Sequence, residues 1–393
     1  MVSQEMYRLG ANRSCIRDLF EYGLKKAAEI GKENVYDYSL GNPSVPAPEQ
    51  VNETIRELSL GDSLALHGYT PAPGAMDARE AVAQDLTARF GMQISGADIF
   101  FHCGAAPALV SVLRALAVDG SEVITPAPFF PEYRVFSEGA GHKFVVIPAE
   151  EKTFQIDPEA FRCAVNEHTQ AIILNSPNNP SGVVYSEETL KAIAAILEEK
   201  EAEYGHPIYI IADEPYRELV YEGLKVPFIP NLYRNTVVCY SWSKSLSLPG
   251  ERIGYVCIPQ QTEDHDALFA AMAGAARAAG HVCAPSLQQQ IVRHCVGIMP
   301  NIEAYDRNRK LLYEKLTEYG YSCVKPQGAF YMFVKAPGGD AKAFSDAAKE
   351  LNLLVVPGAD FGCPGFFRLS TCVSYDMIVR SLPAFEQAIG KFC

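Results

Sequence analysis

The sequence predicts an α/β fold, a mostly parallel central sheet with helices on both faces, followed by a smaller α+β domain. Seven short apolar runs between residues 98 and 258 alternate with helical patterns, as where crossover helices join neighbouring strands. Several of these runs end in polar or glycine-rich turns, which in an open α/β sheet line a crevice at the carboxyl ends of the strands. From about residue 262 the alternation gives way to a helical texture and then to a mixed one.

A helix opens with Ser14 as its N-cap, carries Ile16, Leu19, Phe20, Leu24 and Ala27 on one face, and closes at Gly31. "VYDYSLGNP" then alternates like a strand and stops at a Gly-Asn-Pro turn. The strand runs that follow are "DIFFH", "SEVIT", "KFVVI", "AIILN", "IYIIA", "TVVCYS" and "GYVCI". Residues 262–318 are largely helical; after them come "AFYMFV", a helix, "LLVVPG", "FFRLS" and a last helix starting near Ser374. This order divides the chain into an N-terminal segment, 1–45, that packs with the small domain, a large domain, 46–285, and a small domain, 286–393. There are no internal repeats or low-complexity segments.

With 393 residues, 48% of them hydrophobic and 21% charged, the composition is that of a soluble globular protein with ample length for a large core. Lys plus Arg is 34 against 47 Asp plus Glu, and the net charge of -13 argues against nucleic acid or an anionic membrane as partner. A small-molecule enzyme fits better. The 11 cysteines form no C-x-x-C pair and sit in apolar contexts, which reads as buried thiols in a reducing compartment. Glu5, Arg8, Arg13, Arg17 and Asp18 leave no apolar core for a signal peptide, and no uncharged run reaches the length of a membrane span. The cytoplasm is the expected location. No histidine or cysteine spacing calls for a metal.

The chemistry concentrates in "SWSKSLSLPGERIGY", Ser241 to Tyr255. A lysine amine is a nucleophile only when neutral, so Lys244 needs desolvation or a nearby positive charge, and Arg252, expected on the strand after the turn, supplies one. A lone lysine in a loop is ordinarily a surface residue. Here Ser241, Ser243 and Arg252 make a donor set suited to a phosphate ester. "CGAAPALVSVLRAL" adds Gly104, Ala105 and Ala106 at a strand-to-helix turn, where free backbone N–H groups favour an anion. A reactive lysine beside a phosphate site points to pyridoxal phosphate, whose pyridine nitrogen also needs an acidic partner. Asp213, directly after an apolar strand in "IYIIADEPYREL", places a carboxylate at the sheet edge, although aspartate there is as often a turn residue or helix cap. Tyr216, three residues on, is in reach of the ring's phenolic oxygen.

Together, "SWSKSLSLPGERIGY", "NSPNNPSG", "IADEPYREL" and "FFRLS" resemble, in order and over essentially the whole chain, the class I and II aminotransferases of fold type I, pyridoxal-phosphate enzymes that include the aspartate aminotransferases. The resemblance implies that Lys244 is the Schiff-base lysine and proton shuttle. Asp213 then partners the pyridine nitrogen, Tyr216 and Asn179 the ring hydroxyl, and Phe130 in "PAPFFPEY" stacks on the ring. Arg368 in "FFRLS" grips the substrate α-carboxylate with two parallel hydrogen bonds, and Gly41 lines the same pocket. Tyr69 in "HGYTPAPG" crosses to the neighbouring subunit's phosphate, which implies a homodimer with shared active sites.

The implied reaction is a ping-pong transfer of the amino group of an L-amino acid, aspartate-like as the first expectation, to a 2-oxo acid such as 2-oxoglutarate. Two departures bear on this. Ala105 and Ala106 replace the usual hydroxyl residues, leaving backbone donors only, and Ala106-Pro107 stands where one aspartate-specific subgroup carries a lysine. Arg13, Arg17 and Arg277 are the other cations considered for a second carboxylate, each with an ordinary surface role as the alternative. An aminotransferase for aromatic or other neutral amino acids, and a carbon–sulfur lyase that releases a keto acid without an acceptor, use nearly the same residues. A non-enzymatic regulator that binds the cofactor has no room for a fused DNA-binding domain.

Overall fold

Ser14 caps the first long helix as its sequence predicts. Its hydroxyl accepts from the Arg17 N–H at 3.4 Å, and the helix Cys15–Ile30 ends at Gly31, whose N–H donates to the Ala27 carbonyl. The computed structural model describes residues 1–11 and 14–392, so Arg13 lies outside the described residues. The strand expected in "VYDYSLGNP" is short: β1 (Tyr36–Asp37) pairs in parallel with Leu353–Leu354, which ties the N-terminal segment to the C-terminal part of the chain.

The seven apolar runs all become strands of one sheet: β2 (Ile99–His102), β3 (Glu122–Pro126), β4 (Lys143–Ile147), β5 (Thr169–Asn175), β6 (Tyr209–Asp213), β7 (Thr236–Ser241) and β8 (Gly254–Cys257). Their order is β2-β8-β7-β6-β5-β3-β4, and only β8 runs against the others. Helices cover both faces, so both sides of each strand are apolar. Within β5, Ile172 and Leu174 enter one core with Leu190, Ile193 and Leu197. Ala171 and Ile173 enter the opposite core with Leu109, Val112, Leu268 and Met272. Each fully buried Ile or Leu contributes about 1.5–3 kcal/mol relative to exposure. With β2, β3, β5, β6 and β7 pointing one way, the residues after them converge on one edge of the sheet.

The C-terminal part builds a smaller antiparallel sheet, which contains β9 (Ser322–Cys323), β10 (Tyr331–Lys335), β12 (Val356–Pro357) and β13 (Phe366–Ser370); β11 is the Leu353–Leu354 strand already paired with β1. The order is β12-β13-β10-β9. Met332, Val334, Phe367 and Leu369 pack with Ile378 and Phe385 of the final helix, Tyr375–Gly390, which Ser374 caps. The expected strand "LLVVPG" divides in two, because β11 pairs with β1 while β12 pairs with β13. The helix Ser286–Cys295 packs against Glu49–Ser59 and Met76–Phe90, and its Ile291 and Val292 belong to a large-sheet core, so the change of core falls beyond the expected boundary at 285. All ten cysteines among the described residues are free, but only five are buried, and Cys163 is exposed. No helix among the described residues is long and apolar enough to cross a membrane.

Candidate active site

The converging strand ends, the N-terminal segment and β13 enclose a cavity of about 300 Å³. Lining it are Gly41, Ala105, Ala106, Phe130, Asn179, Asp213, Tyr216, Ser241, Ser243, Lys244, Arg252 and Arg368. Gly104 stands one residue behind this wall. Tyr69 does not line the cavity; its side chain is 99% exposed. Arg17 and Arg277, the other described candidates for a second carboxylate, are exposed and not part of the lining.

Lys244 sits in a short helix, Trp242–Ser245, rather than in a loop. Its Nζ donates to the Gly41 carbonyl at 2.6 Å and lies 5.3 Å from the centre of the Phe330 ring. Its pKa is lowered to about 8, by burial above all, with Cys372 opposing the shift and Arg368 and Arg252 adding to it. Neutral amine is therefore far more abundant near pH 7 than for a lysine in water.

One end of the cavity is made for an anion. Ser241 Oγ donates to Ser243 Oγ at 3.1 Å. The helix Ala105–Leu116 starts at Gly104, and its first N–H groups have no partner within the helix. Arg252 precedes β8 instead of lying on it: its φ of +53° turns the chain back toward Gly104. A Cβ on Gly104 would lie 2.7 Å from Arg252 Nη2, and φ there is +98°, so only glycine lets the guanidinium approach.

At the opposite end Asp213, the last residue of β6, is 5% exposed. Tyr133 Oη donates to its Oδ2, whereas its Oδ1 has no partner among the described residues. Burial raises its pKa to about 7, the Tyr133 hydrogen bond opposes the rise and Glu214 adds to it. Asn175, at the end of β5, donates to the Asp213 carbonyl at 2.8 Å and accepts from the Asn179 N–H at 2.7 Å. This fixes the turn that presents Asn179. Tyr216 Oη lies 3.0 Å from Tyr331 Oη. Phe130 meets Tyr133 edge-to-face, with ring centres 5.6 Å apart.

Arg368, on β13, is 2% exposed and forms no ion pair with a carboxylate among the described residues. Its Nη1 donates to Asn179 Oδ1 at 3.1 Å, its Nη2 donates to the Ser39 carbonyl, and its Nε has no partner among the described residues. The guanidinium lies 4.8 Å from the Tyr331 ring centre, a cation–π contact worth about 0.5–2 kcal/mol.

These groups fit pyridoxal phosphate. An orphaned carboxylate oxygen suits a protonated ring nitrogen, the Gly104 cradle with Arg252 and two serines suits the phosphate, and a desolvated lysine lies between them. Sequence reading missed Tyr133, Tyr331 and Asn175. Tyr133 follows Phe130 by one turn of chain, a usable signal. Tyr331 enters through register, since β10 pairs it with Ser370, two residues from Arg368 on the same face of β13.

The family of class I and II aminotransferases matches residues 32–382. A probable aspartate/prephenate aminotransferase from Aquifex aeolicus is 32% identical over 386 residues, 93% of this chain and 94% of that protein. The solved structure of an amino transferase from Eubacterium rectale has a TM-score of 0.98 at 54% identity, covering 100% of this chain and 99% of that one. The aspartate aminotransferase of Thermus thermophilus, solved with maleate, has a TM-score of 0.85 at 27% identity, covering 97% and 98%. A match this continuous, over a cavity with these donors, means that the chain belongs to the class I and II aminotransferases and is a pyridoxal-phosphate-dependent enzyme.

Proposed function

We propose that this aminotransferase accepts the amino group of an L-amino acid and delivers it to a 2-oxo acid, most simply 2-oxoglutarate, in a ping-pong cycle at one site. The observation that carries this reading is Arg368, a buried guanidinium without a carboxylate partner among the described residues. An unpaired buried cation costs several kcal/mol, which an incoming carboxylate offsets. Donor and acceptor both carry that carboxylate next to the reacting carbon, so one arginine serves both halves of the cycle.

The residues divide the work. Arg368 and Asn179 orient the acid, and Lys244, whose lowered pKa makes the neutral amine accessible near pH 7, takes the proton from the substrate's α-carbon and returns one on the reverse half. Arg252, Ser241, Ser243 and the backbone of Gly104 to Ala106 hold the phosphate. Asp213 holds the ring nitrogen, Tyr216 and Asn179 the ring hydroxyl, and Phe130 covers the ring face. Pyridoxal phosphate, when bound, supplies the electron sink that makes the α-proton acidic.

An aspartate-like donor is the first reading, supported by relatives named as aspartate aminotransferases. Aromatic or other neutral donors are the second. Ile16, Leu40, Leu109 and Phe130 give the cavity apolar walls, and its cations among the described residues are Lys244, Arg252 and Arg368. We also read the enzyme as a cytoplasmic homodimer, with the exposed Tyr69 reaching the partner's phosphate site. The deciding experiment incubates the holoenzyme with single L-amino acids. Loss of the cofactor's visible band, restored by 2-oxoglutarate, supports transamination, and the ranking of donors chooses between the two readings. Keto acid and ammonia released without an acceptor would overturn it.

A further inference from the structure

We infer that Tyr133 is a positioning residue of the reaction: it holds the Asp213 carboxylate beneath the ring nitrogen and braces the Phe130 ring that covers the cofactor. The inference rests on the reading of Asp213 as the ring-nitrogen partner, and it adds a residue to the site.

Three observations carry it. Tyr133 Oη makes the one hydrogen bond to the Asp213 carboxylate among the described residues, across 80 positions of sequence. Both groups are buried, Tyr133 at 1% and Asp213 at 5% exposure, so losing that donor leaves a carboxylate oxygen away from bulk water. The same tyrosine accommodates Phe130: its N–H donates to the Phe130 carbonyl at 3.0 Å, and its ring meets the Phe130 ring at an interplanar angle of 85°. The group beneath the nitrogen and the group over the ring face are thus both held by one residue.

The geometry divides the carboxylate. With Oδ2 engaged by Tyr133, Oδ1 is the free acceptor on the cavity wall. The other titratable groups around Asp213 are Glu214, Tyr216 and Cys239. Glu214 is occupied by Arg217 at 2.5 Å, and Tyr216 by Tyr331. Neither replaces the Tyr133 hydroxyl as a donor to Asp213. Without that donor, burial and Glu214 act unopposed, the carboxyl holds its proton to higher pH, and the positive charge on the ring nitrogen is lost.

The test uses holoenzyme carrying Tyr133→Phe, which removes only the hydroxyl, with Tyr133→His, which restores an N–H donor, and Asp213→Asn as the reference. We expect Tyr133→Phe to move the pH midpoint of the bound cofactor's visible band upward by about one unit, because losing a nearby positive charge makes the titrating group more basic. We expect the dissociation constant for pyridoxal phosphate to rise about tenfold, and Tyr133→His to recover part of both. A merely structural tyrosine would lower the melting temperature and leave the midpoint in place. If Asp213→Asn moves the midpoint while Tyr133→Phe leaves it and the affinity unchanged, or if the His variant is no better than the Phe variant, the inference is overturned and the reading of Asp213 stands. If Asp213→Asn moves nothing, both are overturned. If Tyr133→Phe holds no cofactor, the His variant decides: a midpoint near that of the wild type supports the role, and absent binding overturns it.

Discussion

Lys244 Nζ donates to the carbonyl oxygen of Gly41 across 2.6 Å, joining residues 203 positions apart. The contact brings the N-terminal segment to the end of the large sheet. A neutral amine keeps N–H donors, so the bond survives deprotonation while the desolvation that favours the neutral form acts on the same nitrogen.

Borohydride should therefore fix pyridoxal phosphate to Lys244, and peptide mapping should recover the label there and not in Lys244→Ala. In the apo-protein the rate of covalent capture should climb with pH and level off above about 8, where an ordinary lysine continues to 10.5. The sign for stability follows from the same shift. Between these values the unfolded chain binds more protons than the folded one, so the Lys244 contribution to apo-protein stability grows as pH rises from about 8 to 10.5 and is lost as pH falls through 8. Melting curves of the wild type and Lys244→Met across this range should diverge accordingly.

Arg368→Lys should weaken every donor and every 2-oxo acid by a similar factor, since the α-carboxylate is common to all. Loss of one charge-assisted hydrogen bond at about 1.5–3 kcal/mol corresponds to a factor of about 10–150. Titrating the visible band with substrate-like carboxylates measures it. A loss confined to one substrate would remove Arg368 from its assigned role.

Gly41→Ala should damage the same pocket from the other side. A Cβ there would fall 1.8 Å from Tyr331 Oη, and overpacking of this kind costs about 1–3 kcal/mol. Adding Tyr331→Phe removes the nearest atom but leaves a ring carbon at 2.7 Å, so the double variant should recover part of the lost melting temperature and substrate affinity. A Gly41→Ala protein indistinguishable from the wild type in both would contradict the close approach.

Tyr69→Phe chains, weakened in the phosphate grip, and Lys244→Ala chains, without the lysine, should when mixed and allowed to exchange subunits show more activity than the two kept apart, because a hybrid dimer with shared sites has one site free of both defects. Subunit exchange demonstrated by mass, with no gain in activity, would refute the shared site.

Much of the large sheet was legible in advance because its evidence is local. Runs such as "AIILN" are apolar on both faces, as strands buried between two helical layers must be, and the polar residue that closes several of the parallel strands, Asn175 and Asp213 among them, marks the carboxyl edge. Asp213 and Arg368 stood out for a related reason: an ionisable group at the end of an apolar strand or within one has no inexpensive place except a site, whereas Lys244 stood out by the serines and the arginine near it, a donor set suited to a phosphate. The turn at Arg252 was not legible, since a left-handed φ on an arginine is stabilised by surroundings and has no local signature.

By itself, then, the sequence determined which segments are strands and helices and which ionisable residues meet at the carboxyl edge, because periodicity and desolvation act within a few residues. The tertiary structure alone decided the strand order with its one reversed member, the division of "LLVVPG" between two sheets, and the partners Tyr133 and Tyr331. None of these is written in the local pattern: Tyr133 meets Asp213 across 80 positions, Tyr216 meets Tyr331 across 115 and β1 meets β11 across more than 300, selected by whole-domain packing and by the cost of leaving a buried polar group without a partner.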